Sequence, residues 1–474
     1  MTEGAIASNR FGLGARSGAV ARGDPRGAIK AQLREFQPRP DAINTAPTRS
    51  EVVANLVEFL EEKRAMGGRK AKAEAADAAA VPDEKKMMRK AARQDARGQY
   101  VAQVGARVRI AVASDTPFVE RLVHFWANHF AVSADKLTTV GLAGMLEFEA
   151  IRPHVLGRFS DMLLAVEQHP AMLLYLDQAQ SIGPDSPLGS RVAARGVKAP
   201  GLNENLAREI LELHTLGVRT GYTQGDVTEF ARAMTGWTVR GIAGGRIARA
   251  VLGDETPGDF VFAAQVHQPG DRTIMGRRYG QTGEAQARAV LADLALHPAT
   301  ATHIATKLAR HFVADDPSPA LVARLKAAFL KSGGDLPSVY AALIDSPEAW
   351  NATPAKFKTP WEWSISAFRA VGVTDLPDQA LAGMFTELGQ PVWRPGSPAG
   401  YEDVAVRWAG PDALIKRVEV AQRLSARVDV DARTLAPKLF GDALTPDTRT
   451  AIAQAEGGPQ ALALLLVSPE FMRR

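Results

Sequence analysis

No cysteine occurs among the 474 residues. Disulfides, iron–sulfur clusters, thiolate zinc sites, c-type haem attachment and a cysteine nucleophile are all excluded by that one absence. Any metal would have to be held by His, Asp, Glu, Asn or Gln. Long apolar runs are missing too, since no uninterrupted stretch approaches the roughly 20 residues of a membrane-spanning helix, and a water-soluble chain is expected. The opening Met1-Thr2-Glu3-Gly4-Ala5-Ile6 lacks the basic start and apolar centre of an export leader, so the cytoplasm is the default compartment. There is no Gly-x-Ser-x-Gly elbow, no phosphate-binding Gly-Lys-Ser/Thr loop and no glycine fingerprint after a strand, which removes support from the common hydrolase, nucleotidase and dehydrogenase readings. Ser133-Ala134-Asp135-Lys136 has the serine–lysine spacing of penicillin-interacting enzymes, but no Ser-Asp-Asn or Lys-Thr-Gly follows it.

What is present is a hydrophobic content of 46%, enough for a substantial core. The formal net charge of +5 has a local origin: residues 63–97 hold 11 Lys/Arg against 5 Asp/Glu, and the remainder is close to neutral. This Ala/Lys/Arg-rich segment, interrupted by Gly67-Gly68 and Pro82, reads as a solvated helical excursion or loop. It lacks the aromatics that base stacking needs, so it carries no strong nucleic-acid signal.

Apolar residues recur at helical spacing through most of the chain. The spacing predicts a helix over Pro117 to Phe130, capped by Ser114-Asp115-Thr116, another from about Asn203 to Leu216 stopped by Gly217, and a third opened by Thr223-Gln224-Gly225-Asp226 and running through Met234. Between 238 and 283 the pattern turns to alternation, as in Phe260-Val261-Phe262 and Thr273-Ile274-Met275, which predicts a small β-hairpin excursion. Helical periodicity returns from Glu284 to Arg474 between prolines. No Ser/Gly linker and no 20–50-residue repeat divides the chain, so the expectation is a mainly α protein, one large helical domain over 1–474 with a basic excursion at 63–97 and a β-containing insert at 238–283.

Candidate chemistry gathers in two clusters. In His124-Phe125-Trp126-Ala127-Asn128-His129, His124 and Asn128 share a helical face, whereas His129 is turned by about 140°. In Asn203 to Gly217, Asn205, Glu209 and Glu212 fall within about 60° on the helical wheel, and His214 lies on the opposite, apolar side. Carboxylates on a largely buried helix need a cation, a proton or dedicated hydrogen bonds. A divalent metal, an acid/base role, and a structural network with arginines such as Arg121 and Arg232 are all open. His303, Lys307 and His311 recur every four residues along one helical face, where a lysine between two histidines disfavours a bound cation, so that face reads mainly as helix surface. His267 sits in a turn and is expected to be exposed.

Phe125-Trp126-Ala127-Asn128-His129-Phe130, Asn203 to Gly217, Gly221-Tyr222-Thr223-Gln224, Thr235-Gly236-Trp237, His297-Pro298-Ala299-Thr300-Ala301, Leu388-Gly389-Gln390-Pro391 and Pro395 to Tyr401 together resemble the domain of unknown function 1800 family, a large bacterial group. The resemblance implies one domain over the whole length and marks Asn128, His129, Glu209, Glu212 and His214 as motif positions. It supplies no mechanism. Relatives often carry export signals, implying a periplasmic or exported location for them, and often have a polar residue in place of Ala127. The leading expectation is an enzyme whose site forms where the helix ending at His129 meets the helix bearing Glu209 and Glu212. Those carboxylates and His129 would do the chemistry. His129, Glu209, Glu212 and His214 would hold a divalent metal, Asn128, Trp126 and Asn205 would shape the site, and the substrate would be a small molecule or a polymer, with hydrolytic and oxidative chemistry both open. The rival is a non-catalytic scaffold in which the same residues form a polar network. A third reading, binding to an acidic surface, rests on 63–97.

Overall fold

Proline preceded by a small capping residue opens helix after helix. Ser186-Pro187, Ser318-Pro319, Thr359-Pro360, Thr445-Pro446 and Ser468-Pro469 each place proline at the first helical position, with the hydroxyl ahead of it accepting a backbone N–H of the first turn. The proline has no N–H to lose there, and its fixed φ already suits the helix. The prolines at these positions are thus helix starts. The computed structural model describes residues 1–16, 23–73, 81–196, 201–242 and 257–474. It is mainly α, with two small antiparallel two-stranded sheets among the described residues. One contiguous cluster of buried apolar side chains extends from Ile6 to Met472.

The basic segment is mostly helical. Arg49–Ala73 (α1) and Val81–Ala113 (α2) pack against each other, and residues 74–80 of the segment lie outside the described residues. Pro117–His129 (α3) matches its expected span, and ten of its 13 side chains are buried. Its cap differs from expectation. Thr116 makes no capping bond, and the Phe118 N–H donates instead to Gln32 Oε1 at 2.8 Å.

The Asn203–Leu216 helix is shorter and less regular than its periodicity predicts. Asn205–Glu209 (α4) passes into a π-helical turn, Ile210–His214, in which the Thr215 N–H donates to the Ile210 carbonyl five residues back. Gly217, at φ +94°, ends it as expected. Gln224–Met234 (α5) opens with the Thr223–Asp226 capping box.

The β excursion consists of Trp237–Val239 (β1) paired with Phe260–Phe262 (β2), and Arg272–Ile274 (β3) paired with Arg277–Tyr279 (β4). Residues 243–256 of that insert lie outside the described residues. Met275 and Gly276, both at positive φ, form the two-residue turn of the second hairpin. The Met275 N–H donates to Asp226 Oδ1 at 2.6 Å, which ties the hairpin to the start of α5. Two later helices matter for the site, Pro298–Phe312 (α6) and Pro360–Val371 (α7). No helix among the described residues is long and apolar enough to cross a membrane.

Candidate functional site

A cavity of about 240 Å³ opens between α3, α6, the start of α7 and the 390–403 loop, with Arg107 of α2 on its wall. The first of its walls is α3. Asn128 clamps the loop to that helix, its amide donating to the Tyr401 carbonyl at 2.8 Å while its oxygen accepts the Tyr401 N–H at 2.7 Å. Gly400, at φ +77°, allows this approach, since a Cβ there would lie 2.2 Å from the Asn128 carbonyl oxygen. The cavity is therefore closed on one side by a loop whose position depends on a glycine.

His124, His129 and His311 line this cavity, and each is held in one tautomer. The Trp361 indole N–H donates to His124 Nδ1 at 3.1 Å, so in the neutral ring the proton sits on Nε2, 3.5 Å from Glu120. Burial lowers the pKa of His124, whose Nδ1 is taken by Trp361 and whose Nε2 faces Glu120 without a hydrogen bond among the described residues. Burial pushes the Glu120 carboxyl up, but the Arg152 guanidinium, bonded to both its oxygens, outweighs this, and its pKa falls to about 2.

His129, 1% exposed, directs Nε2 to the His214 carbonyl at 3.1 Å. A carbonyl only accepts, so Nε2 carries the proton and Nδ1, buried and without a partner, keeps its lone pair. Burial and then the charge of Lys307 hold this ring well below the usual histidine pKa. His303 of α6 repeats the arrangement, with Nε2 at 3.1 Å from the Leu213 carbonyl and its pKa lowered to about 4, chiefly by burial. Successive carbonyls at the end of the π turn thus fix two imidazoles.

His311 differs from these. Its Nδ1 lies 2.6 Å from Asp403 Oδ2, and its Nε2 is buried without a partner. Asp403 is held ionised against the cost of burial by His311 and by Lys356 at 3.0 Å, and Lys356 also pairs with Asp315 at 2.6 Å. A half-buried carboxylate that orients an imidazole and leaves its far nitrogen free is the arrangement of a general base and its orienting acid. One turn earlier on the same face, Lys307 lines the cavity with no hydrogen bond or ion pair among the described residues, and burial lowers its pKa to about 8. Arg310 spends Nε on the Asp315 carbonyl at 3.0 Å and has no carboxylate partner among the described residues.

A second charged layer backs the cavity. Arg121 and Arg474 both pair with Glu362, the latter at 2.8 Å. Arg107 bonds Glu147 at 3.0 Å and lies over the Trp361 ring at 4.2 Å and the Trp393 ring at 5.2 Å.

The structure brings together only part of the expected set. His129 and Asn128 line the cavity, while Trp126 is wholly buried and its indole N–H donates to the Tyr340 hydroxyl at 2.7 Å. His214 meets His129 through its carbonyl, and its ring is bonded to Glu167 at 2.7 Å. Glu209 and Glu212 are half-buried outside the cavity lining. Burial raises the Glu209 pKa, and Glu212 lies 3.6 Å from Arg208. Asn205 is exposed. Among the described residues no three His, Asp or Glu side chains are grouped to hold a metal ion, and His129, Glu209, Glu212 and His214 are not brought together in such a group.

Arg121 and Arg232 do not join the two carboxylates either: Arg121 pairs with Glu362 and Arg232 with Glu229. The α6 face that reads as surface in the sequence turns inward at Lys307 and His311 because α3 and the 390–403 loop cover it. His267 is half-buried, with Nδ1 donating to the Thr235 carbonyl at 2.8 Å. Asp403, Glu167 and Lys356 stand in no local pattern that would single them out, and Glu362 stands only in the Thr359–Glu362 capping box of α7. The one usable signal was the four-residue spacing that puts Lys307 and His311 on one face.

The model of a family described as a protein of unknown function, DUF1800, matches residues 6–473. No curated protein and no solved structure matches the chain.

Proposed function

We propose, for a chain that belongs to the DUF1800 family over nearly its whole length, that the cavity between α3, α6 and the 390–403 loop is an acid–base site with His311 as its proton acceptor. The observation that carries this reading is the His311–Asp403 pair: His311 lines the cavity, and its buried Nε2 has no hydrogen-bond partner among the described residues. In this reading Nε2 takes a proton from a hydroxyl or an acidic C–H of the bound ligand. Asp403 holds the ring and stabilises the imidazolium that forms, and the proton returns to the product from the same nitrogen. A positioned acid–base group of this kind is worth roughly 10²–10⁴-fold in rate. Lys307 and Arg310 supply positive potential next to the ring, and His129 offers a second acceptor.

The scaffold reading rests on a different observation, the buried Arg121–Glu362–Arg474 cluster, whose charges lock α3 to α7 and the last residue. Small acids and alcohols incubated with the chain in D₂O separate the two, with NMR following turnover and solvent-deuterium incorporation. Turnover that disappears in His311→Gln, while circular dichroism and melting temperature stay close to wild type, is the expected result. Turnover unchanged in that variant would remove His311 from the role, and ligands that bind without any turnover would favour the scaffold.

A further inference from the structure

The cavity wall specifies its ligand by what it leaves unsatisfied. Two nitrogens of its lining histidines, His129 Nδ1 and His311 Nε2, are buried and have no hydrogen-bond partner among the described residues. Buried acceptors of this kind call for N–H or O–H groups. Two cations on the same wall, Lys307 and Arg310, have no carboxylate partner among the described residues, whereas Arg107 and Arg121 are paired with Glu147 and Glu362. Of the lining carboxylates, Asp403 and Glu362 are matched by cations, and Glu402 makes no ion pair among the described residues. Two free cations therefore face one free carboxylate, and the balance favours an anion. The volume of about 240 Å³ lies just below the roughly 300–1,000 Å³ of small-molecule pockets, which limits the ligand to a small molecule or the end of a larger one.

We infer that the ligand is a small hydroxylated anion, its carboxylate or phosphate group bound by Lys307 and Arg310 and its hydroxyls by His129 and His311. The inference rests on the acid–base reading of the cavity and adds the class of substrate. Lys307 and His311 lie one helical turn apart on α6, so an anionic group on the lysine places a hydroxyl one or two carbons away within reach of His311 Nε2. The anion also offsets the positive charge that the imidazolium adds to an already cationic wall. Carboxylate and phosphate share this chemistry.

Calorimetric titration of the full chain at low salt with tartrate and with glycerol 3-phosphate tests the inference and tells the two groups apart, with glycerol and sulfate as probes that lack charge and carbon-bound hydroxyls respectively. At least one hydroxylated anion should bind more tightly than glycerol or sulfate. Lys307→Met and Arg310→Met should each weaken it by about tenfold or more, the loss expected for a charge-assisted hydrogen bond. Lys331→Met, on an exposed helix end, should leave binding unchanged. Sulfate binding as well as the hydroxylated anions, or equal affinity in wild type and both cation variants, would overturn the inference. So would no binding of either anion while His311 is found neutral and protonated on Nδ1, a result that leaves the acid–base reading itself standing.

Discussion

Each histidine in or beside the cavity has a nitrogen committed, and its role depends on which one. His124 accepts from Trp361 and has Glu120 3.5 Å from its Nε2, His129 and His303 give Nε2–H to backbone carbonyls, and His311 bonds Asp403 through Nδ1. Removing that carboxylate in Asp403→Asn leaves Lys356 with Asp315 alone and strips His311 of its orienting charge. Loss of one partner from a buried charged cluster costs about 3–5 kcal/mol, and urea unfolding should show a loss of that size. His303 gives a pH signature. Its folded pKa is lowered to about 4, while an unfolded chain takes up that proton near pH 6.5. Between those values the unfolded state binds more protons, so stability falls as pH drops from about 6.5 to 4. His303→Gln keeps a donor for Leu213 and removes the titration, so its urea midpoints at pH 4.5 and 6.5 should lie closer together than those of wild type. An unchanged gap would contradict the assignment. The sequence shows that Lys307 and His311 share a face. It does not show that the face is inward, because burial is decided by α3 and a loop some 90 residues downstream.

At the scale of elements, the π turn at Ile210–His214 does more than end a helix. Its Leu213 and His214 carbonyls accept hydrogen bonds from His303 on α6 and His129 on α3, so one irregular turn sets two tautomers on two other helices. Hydrophobic spacing at a period of 3.6 identifies the helix and its glycine stop, but it carries no mark of the five-residue backbone bond. An α-helical wheel drawn through such a turn therefore misplaces the residues beyond it. Glu209 and Glu212 do form a half-buried polar stripe, but it lies off the cavity. The loop at 390–403 has its own point of dependence. Gly400→Ala introduces a methyl group into the Asn128 carbonyl at a positive φ, where alanine is also strained. A destabilisation above about 1 kcal/mol is expected, with the Tyr401 clamp opened and Tyr401 amide protection lost in hydrogen exchange. Wild-type protection in the variant would mean that Asn128 does not hold the loop.

Over the whole molecule, charge connects parts of the chain that local patterns cannot. Arg121 and Glu362 are 241 residues apart, and His311 and Asp403 are 92 apart. The mainly α class, the β insert and the helix starts at proline were legible because they depend on residues within a turn of one another. The partners of buried charges were not, since either member looks like an ordinary surface residue until the fold buries both. Glu362→Gln leaves Arg121 and Arg474 facing each other without a carboxylate, and should cost about 3–5 kcal/mol in urea unfolding. A loss under about 1 kcal/mol would show that the cluster does not tie α3 to α7.

The acid–base account depends most directly on where the protons of His311 and His129 reside. Nitrogen-15 NMR of histidine-labelled protein at pH 7, assigned with the His311→Gln and His129→Gln variants, reads this for each ring. The account predicts His311 neutral with its proton on Nδ1, and His129 neutral with its proton on Nε2. A His311 ring that is protonated on both nitrogens at pH 7, or that carries its single proton on Nε2, would contradict it.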